Sequence, residues 1–122
     1  MLHHVALEIR PEDVAEDTRF WELAGFEPVP VPEALGDGYV WFEKAGTQIH
    51  LMETEEPVIP ERGHVAIVAR DFEETLDRLA AGGFVAREGR ELWGDRRAKV
   101  TAPSGHVVEL MAAPPSRSAK SA

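Results

Sequence analysis

Apolar and polar side chains alternate along four short segments of the chain, residues 4–9, 48–53, 64–68 and 106–111. Successive side chains of a β-strand point to opposite faces, so alternation of this kind predicts strands with one buried face. In each segment one set of alternate positions is aliphatic. The other set includes a histidine or a glutamate. The pattern therefore predicts sheets with one face for packing and a second face that carries polar groups.

The chain contains an internal repeat, which organises the other elements. Residues 4–7 (HVAL) recur as residues 64–67 (HVAI). Each copy leads into a helical pattern, over 11–24 in the first half and about 71–81 in the second, and each helix is expected to stop at glycine. A short strand follows each glycine, and two more strands complete each half, over 39–43 and 48–53, then 96–101 and 106–111. The predicted order is β-α-β-β-β, twice.

This order predicts an α+β fold within a single domain, because 122 residues suffice for one core and are too few for two ordinary ones. The domain is expected to span 1–113, with modules at about 2–54 and 63–112 and a proline-containing linker at 55–62. Residues 114–122 contain no apolar side chain larger than alanine. We expect this tail to be disordered, since it has little to bury.

The polar faces of the predicted strands hold four potential metal ligands: His4, His50, His64 and Glu109. The repeat places His64 where the first half has His4, and Glu109 where the first half has His50. A two-fold relation between the halves would bring all four together. Three imidazoles and a carboxylate suit Zn, Ni, Co, Fe or Mn and are poor ligands for Ca or Mg. An isolated histidine is usually an ordinary polar side chain, so the prediction rests on the four occurring in register.

Two other histidines lie on the opposite faces of their strands. His3 is expected to point toward Val5 and away from His4, although a shift of one residue in strand register would exchange the two histidines. His106 lies on the same side as Val108, directly after a glycine turn, and we interpret it as structural.

Composition excludes several classes of function. The chain has no cysteine, so disulfides, thiolate metal ligands and cysteine nucleophiles are ruled out. Its formal net charge of −9 opposes binding to nucleic acid or anionic membranes. No apolar run is long enough for a membrane span, and the start of the chain lacks the features of a signal peptide. We therefore expect a cytoplasmic protein that acts on a small molecule.

Five segments together resemble the vicinal oxygen chelate superfamily, which includes glyoxalase I, fosfomycin-resistance thiol transferases, extradiol dioxygenases and bleomycin-binding proteins. The segments are residues 4–9 (HVALEI), 19–26 (RFWELAGF), 48–52 (QIHLM), 63–66 (GHVA) and 103–110 (PSGHVVEL). The resemblance implies a curved, barrel-like mixed sheet with helices on its outer face, a homodimer, and a divalent transition metal. In the superfamily the first and last strands of each module supply ligands, which here are His4, His50, His64 and Glu109.

The resemblance further implies a metal-dependent lyase or isomerase of the glyoxalase type, acting on a substrate with two neighbouring oxygens. Glu109 is the expected catalytic base, with Glu8 as the second choice. His50 stands where glyoxalase I typically has a glutamate, so it cannot act as that carboxylate base. A thiol transferase for an electrophilic antibiotic and a metal-free drug- or metabolite-binding protein are the alternatives. Aromatic and Met side chains are expected chiefly in the core, and Arg96 and Arg97 could hold an anionic substrate group.

Overall fold

A computed structural model describes residues 1–116 and confirms the predicted α+β fold of two β-α-β-β-β halves. The first half consists of β1 His4–Ile9, α1 Val14–Leu23, β2 Glu27–Val29, β3 Tyr39–Lys44 and β4 Thr47–Glu53. The second consists of β5 Val65–Val68, α2 Phe72–Ala81, β6 Arg87–Glu88, β7 Arg97–Thr101 and β8 Val107–Met111. Most bounds lie within a residue or two of those predicted from the sequence.

The eight strands form two four-stranded sheets of the same topology. Their strand orders are β1-β4-β3-β2 and β5-β8-β7-β6. In each sheet the first and last strands of the half are parallel neighbours, and the remaining pairs are antiparallel. Consequently β1 and β5 are both edge strands, and the polar positions of β1 and β5 lie at the free edges of their sheets.

Both helices pack over the aliphatic faces and join the two halves in a single hydrophobic core. Its largest fully buried apolar side chains come from α1, α2 and both sheets: Trp21, Phe20, Phe42, Ile9, Ile49, Leu51, Leu79, Leu110 and Val108. The end of α2 lies against the end of α1, where a Cβ added to Gly82 would lie 2.4 Å from Leu23 Cδ1. Arg78 Nε also donates to the Leu23 carbonyl at 3.2 Å. A larger residue at position 82 would require the Leu23 side chain to shift.

Buried polar contacts also tie the turn before β8 to the first half. The Asp17 carboxylate, fully buried on α1, accepts hydrogen bonds from Trp21 Nε1 at 3.1 Å and from the Ser104 backbone N–H at 2.9 Å. His106 is buried, and its Nε2 donates to the Glu8 carbonyl at 2.8 Å. This contact agrees with the structural role expected of His106. The two sheets are therefore held in one fixed relation.

Some local features differ from the sequence prediction. The first helix begins as a short 3₁₀ turn over Pro11–Asp13 before α1, with Pro11 at the first position, where a missing N–H leaves no hydrogen bond unmade. The strand predicted directly after the second glycine is shorter and later, since β6 has only two residues. Residues 117–122 of the predicted disordered tail lie outside the described residues. Within residues 1–116, no helix is long and apolar enough to span a membrane.

Candidate metal centre

The predicted ligands occupy the open faces of the two sheets, turned away from the aliphatic core side. The strand registers are equivalent in the two halves: His50 on β4 lies opposite Ala6 on β1, and Glu109 on β8 lies opposite Ala66 on β5. Each sheet therefore presents a pair at its edge, His4 with His50 and His64 with Glu109. The alternation in the sequence predicted this placement.

The second half holds its pair in direct contact. His64 Nε2 lies 2.9 Å from Glu109 Oε1, and the Glu109 side chain is buried. His64 Nδ1 lies 2.9 Å from the Arg62 carbonyl oxygen. A carbonyl can only accept, so Nδ1 carries the hydrogen, and a neutral His64 then turns the lone pair of Nε2 toward the carboxylate. Two acceptors this close require a positive charge between them, either a proton or a metal ion.

The atoms of this pair suit a shared metal ion. Two ligand atoms bound at about 2.1 Å and roughly at right angles around one ion lie about 3 Å apart. The contact between His64 Nε2 and Glu109 Oε1 has that separation. The hydrogen bond from Nδ1 to a backbone carbonyl is the usual outer contact of a metal-ligating histidine, because it fixes the tautomer and the ring orientation. The donor set therefore fits a divalent transition metal.

The second oxygen of Glu109 lies beside a cation. Arg97 Nη1 is 3.6 Å from Glu109 Oε2, and both side chains are largely buried. Lys99, on β7, lies directly opposite Glu109 in the sheet register. The carboxylate thus has an imidazole on one side and a guanidinium on the other, which holds it in a single orientation.

The first half holds its histidines in a stack of rings. The His50 ring lies between His4, at a centroid distance of 4.0 Å, and Trp41, at 3.8 Å, with nearly parallel planes. His50 Nε2 lies 2.7 Å from Gln48 Oε1, and Gln48 Nε2 donates to Glu43 Oε1 at 3.0 Å. The contact to Glu43 fixes the amide, so Gln48 Oε1 must accept and His50 Nε2 must donate. The lone pair of a neutral His50 is therefore on Nδ1.

His3 lies closer to the candidate site than the sequence suggested. Its Nδ1 is 2.9 Å from His4 Nδ1, and its ring centroid is 6.2 Å from that of His50. The residue precedes β1, where the strict alternation of side chains does not apply. The predicted orientation of His3 toward Val5 is wrong for this reason.

Burial, together with the neighbouring His4 and His3, lowers the pKa of His50 to about 4. The unfolded chain takes up this proton near pH 6.5, whereas the folded protein does so only near pH 4. The contribution of neutral His50 to stability is thus complete above about pH 7 and is lost as the pH falls from 6.5 to 4.

We expect this loss to be measurable in metal-free protein. Between pH 7 and pH 5 the unfolding free energy of the wild type should fall by about 2 kcal/mol more than that of His50→Gln. Only the wild type has a histidine at this position, whose protonation is suppressed by folding. Urea unfolding at both pH values measures the difference. Equal losses in the two proteins would show that His50 titrates normally.

The four predicted ligands form two pairs and not one cluster within a single chain. Among the residues that the structure describes, no group of three or more His, Asp or Glu side chains converges on a common point. Glu8, the second choice as base, is engaged elsewhere, since its Oε1 accepts a hydrogen bond from the Val58 backbone N–H at 2.7 Å. Glu109 is therefore the better placed carboxylate.

Three residues that were not assigned to this site by prediction also contribute to it. Trp41 was expected chiefly in the core, but its ring lies on the open face, against His50. Gln48 and Arg97 orient His50 and Glu109. Extending the alternation to β3 would have found Trp41, because its register partner is His50. Arg97 was noted only as a possible anion ligand, since contact with Glu109 depends on side-chain conformation.

Comparison with known proteins identifies the class that this fold and site define. The profile of the Glyoxalase/Bleomycin resistance protein/Dioxygenase superfamily matches residues 1–110. That match covers most of the chain, so the protein belongs to this superfamily. Among curated proteins, none matches the sequence at a significant level.

Solved structures of the same class share the fold. A protein from Bacillus anthracis described as a glyoxalase family member has a TM-score of 0.82 and 25% identity, covering 91% of this chain and 93% of its own. The fosfomycin resistance protein FosX from Listeria monocytogenes has a TM-score of 0.74 and 21% identity, covering 93% and 91%. A lactoylglutathione lyase from Agrobacterium tumefaciens has a TM-score of 0.70 and 17% identity, covering 91% and 92%. The last two similarities show the fold alone and do not select an activity.

Proposed function

We propose that this protein is a divalent-metal-dependent lyase or isomerase that acts on a small substrate with two neighbouring oxygens. The observation that carries the proposal is the contact between His64 Nε2 and the buried Glu109 carboxylate. A carboxylate with so little solvent requires a positive partner. A bound metal ion supplies that charge and acts as a Lewis acid toward the substrate oxygens.

A second copy of the chain completes the site in this proposal. One pair of ligands is too few for a stable transition-metal site, and the two pairs within a chain do not converge. Both pairs lie at free sheet edges, on or next to β1 and β5. Edge strands present unpaired backbone groups that favour association with another strand. A two-fold dimer that sets β1 of one chain beside β5 of the other would join His4 and His50 to His64 and Glu109 twice.

Glu109 is the proposed catalytic base. Its Oε1 faces the ligand position, and its Oε2 lies near Arg97, so Glu109 would act as the base by loosening from the metal to free one oxygen for a substrate proton. A general base must come within hydrogen-bond reach of the proton that it removes. Trp41 and Tyr39 lie on the open face of the first half and would shield the substrate from water.

Elemental analysis of untagged protein tests the proposal. We expect about one Zn, Ni, Co, Fe or Mn per chain in the wild type. The double variant His64→Ala, Glu109→Ala should lose the ion, with affinity reduced at least about 100-fold, because removing outer contacts alone costs 10–100-fold. Glu74→Gln is the matched control, since Glu74 is exposed on α2, which packs over the aliphatic faces and not over the open faces. It should keep the metal.

The opposite result is equally informative. A folded wild-type protein that contains no transition metal and takes up none on titration would overturn the proposal. The open faces would then be those of a metal-free binding protein.

A further inference from the structure

Three cations share the open face of the second sheet with the candidate base. Lys99 lies opposite Glu109 in the register of β7 and β8, and Arg87 lies opposite Lys99 across β6 and β7. Arg97 is two residues before Lys99 on the same strand face. Since neighbouring strands are about 4.8 Å apart, the backbone positions of the three cations lie one or two strand spacings from that of Glu109.

This cluster is only partly neutralised by the protein. The neighbouring Arg96, on the other face of the strand, is paired with both Glu73 and Glu88. Within residues 1–116, Arg87 and Lys99 have no ion-pair partner, and Arg97 has only the longer contact to Glu109. In a chain with a net charge of −9, adjacent cations without an ion-pair partner are unusual, because carboxylates outnumber cations.

Arg97 is held in place before any ligand arrives. Its Nε donates to the Arg90 carbonyl at 3.0 Å, and its guanidinium lies 5.3 Å from the Trp93 ring centre. Gly89 makes room for it, since a Cβ there would lie 3.1 Å from Arg97 Cζ. The Trp93 indole N–H, next to this guanidinium, is buried and has no acceptor in the described part of the chain. A prearranged guanidinium and an unused donor both favour an oxyanion.

The cations line a shallow depression of about 260 Å³ together with Glu88, whose carboxylate is neutralised by Arg96. We propose that this depression, defined by Arg87, Gly89, Arg97 and Lys99, binds an anionic group of the substrate, a carboxylate or a phosphate-type oxyanion. The inference rests on the proposed function and extends it. The substrate would present its vicinal oxygens at the metal and its charged group roughly 5–10 Å away, a separation of one or two strand spacings. It would therefore be a small organic acid or phosphate ester.

Anion binding to metal-free protein tests this inference separately from the metal site. Inorganic phosphate and malonate, at constant ionic strength, serve as probes of the two oxyanion types. We expect saturable shifts of the Trp93 indole N–H signal in nuclear magnetic resonance spectra. Trp21 provides an internal reference, since its indole N–H is already bound to Asp17. Binding of one probe alone would identify the type of oxyanion.

Two variants of equal charge show whether the depression is responsible. Lys99→Gln should weaken binding about tenfold, the effect of losing one charge-assisted hydrogen bond. Arg10→Gln removes the same charge from an exposed residue that follows β1 in the first half, and it should change the affinity less than about twofold. Neither variant alters a proposed metal ligand, so the metal content of both should equal that of the wild type.

Failure of this inference is distinguishable from failure of the proposed function. Equal weakening in both variants, or no saturable binding of either probe by folded wild type, would overturn the anion site. Saturable binding lost in Lys99→Gln, in a protein that takes up no metal, would retain the anion site and overturn the metal-dependent function.

Discussion

Two variants that each lack half of the candidate site should recover metal binding when they are mixed. The first carries His4→Ala and His50→Ala, and the second carries His64→Ala and Glu109→Ala. Neither should hold an ion alone, because each removes one pair from every site. If the sites form across a two-fold dimer, a mixed dimer has one intact site and one that lacks all four ligands.

The expected size of the recovery follows from random association. When the two variants are unfolded and refolded together, about half of the dimers are mixed, and each contains one of two sites. Metal content should therefore return to about a quarter of the wild-type value per chain. Elemental analysis after size-exclusion chromatography measures it. The same variants refolded separately and then mixed without exchange are the control.

The alternative is a site that closes within one chain. Mixed dimers would then bind no metal, because every chain lacks one of its own pairs. A refolded mixture that is dimeric and metal-free, beside a wild type that holds metal, would therefore overturn the shared site while leaving the metal-dependent function in place.

The second large effect concerns stability. Asp17→Ala should lower the free energy of unfolding by about 2–5 kcal/mol, because it leaves the buried N–H groups of Trp21 and Ser104 without an acceptor. For a chain of this size the melting temperature should fall by roughly 10 °C or more. Thermal and urea unfolding measure both quantities.

Two further variants of α1 separate the hydrogen bonds from the charge. Glu16→Ala, one residue earlier, removes an exposed carboxylate that pairs with Arg19 and should cost little stability, because solvent screens such a pair. Asp17→Asn can accept from only one of the two donors, so its loss should lie between the other two. Burial raises the pKa of Asp17, which means that keeping this carboxylate ionised destabilises the folded protein. An Asp17→Ala protein as stable as the wild type would show that this cost cancels both hydrogen bonds.

The halves were predictable from the sequence because strand side chains alternate with a period of two. That rule alone assigns His4, His50, His64 and Glu109 to the open faces, and the repeat places them equivalently in the two sheets. The glycine stops and apolar periodicity likewise identify both helices. These are local properties of a chain segment, and they do not depend on what packs against it.

The contacts between distant residues required the tertiary structure. The stacking of Trp41 on His50, the placement of Arg97 beside Glu109 and the bond from Ser104 to Asp17 join residues of different elements through particular side-chain conformations. Alternation assigns a face to a side chain but gives neither its rotamer nor its distance from another sheet. The sequence thus determined which residues are available to the candidate metal site. Only the tertiary structure decided that one chain groups them in two pairs, because each pair forms between neighbouring strands of its own sheet.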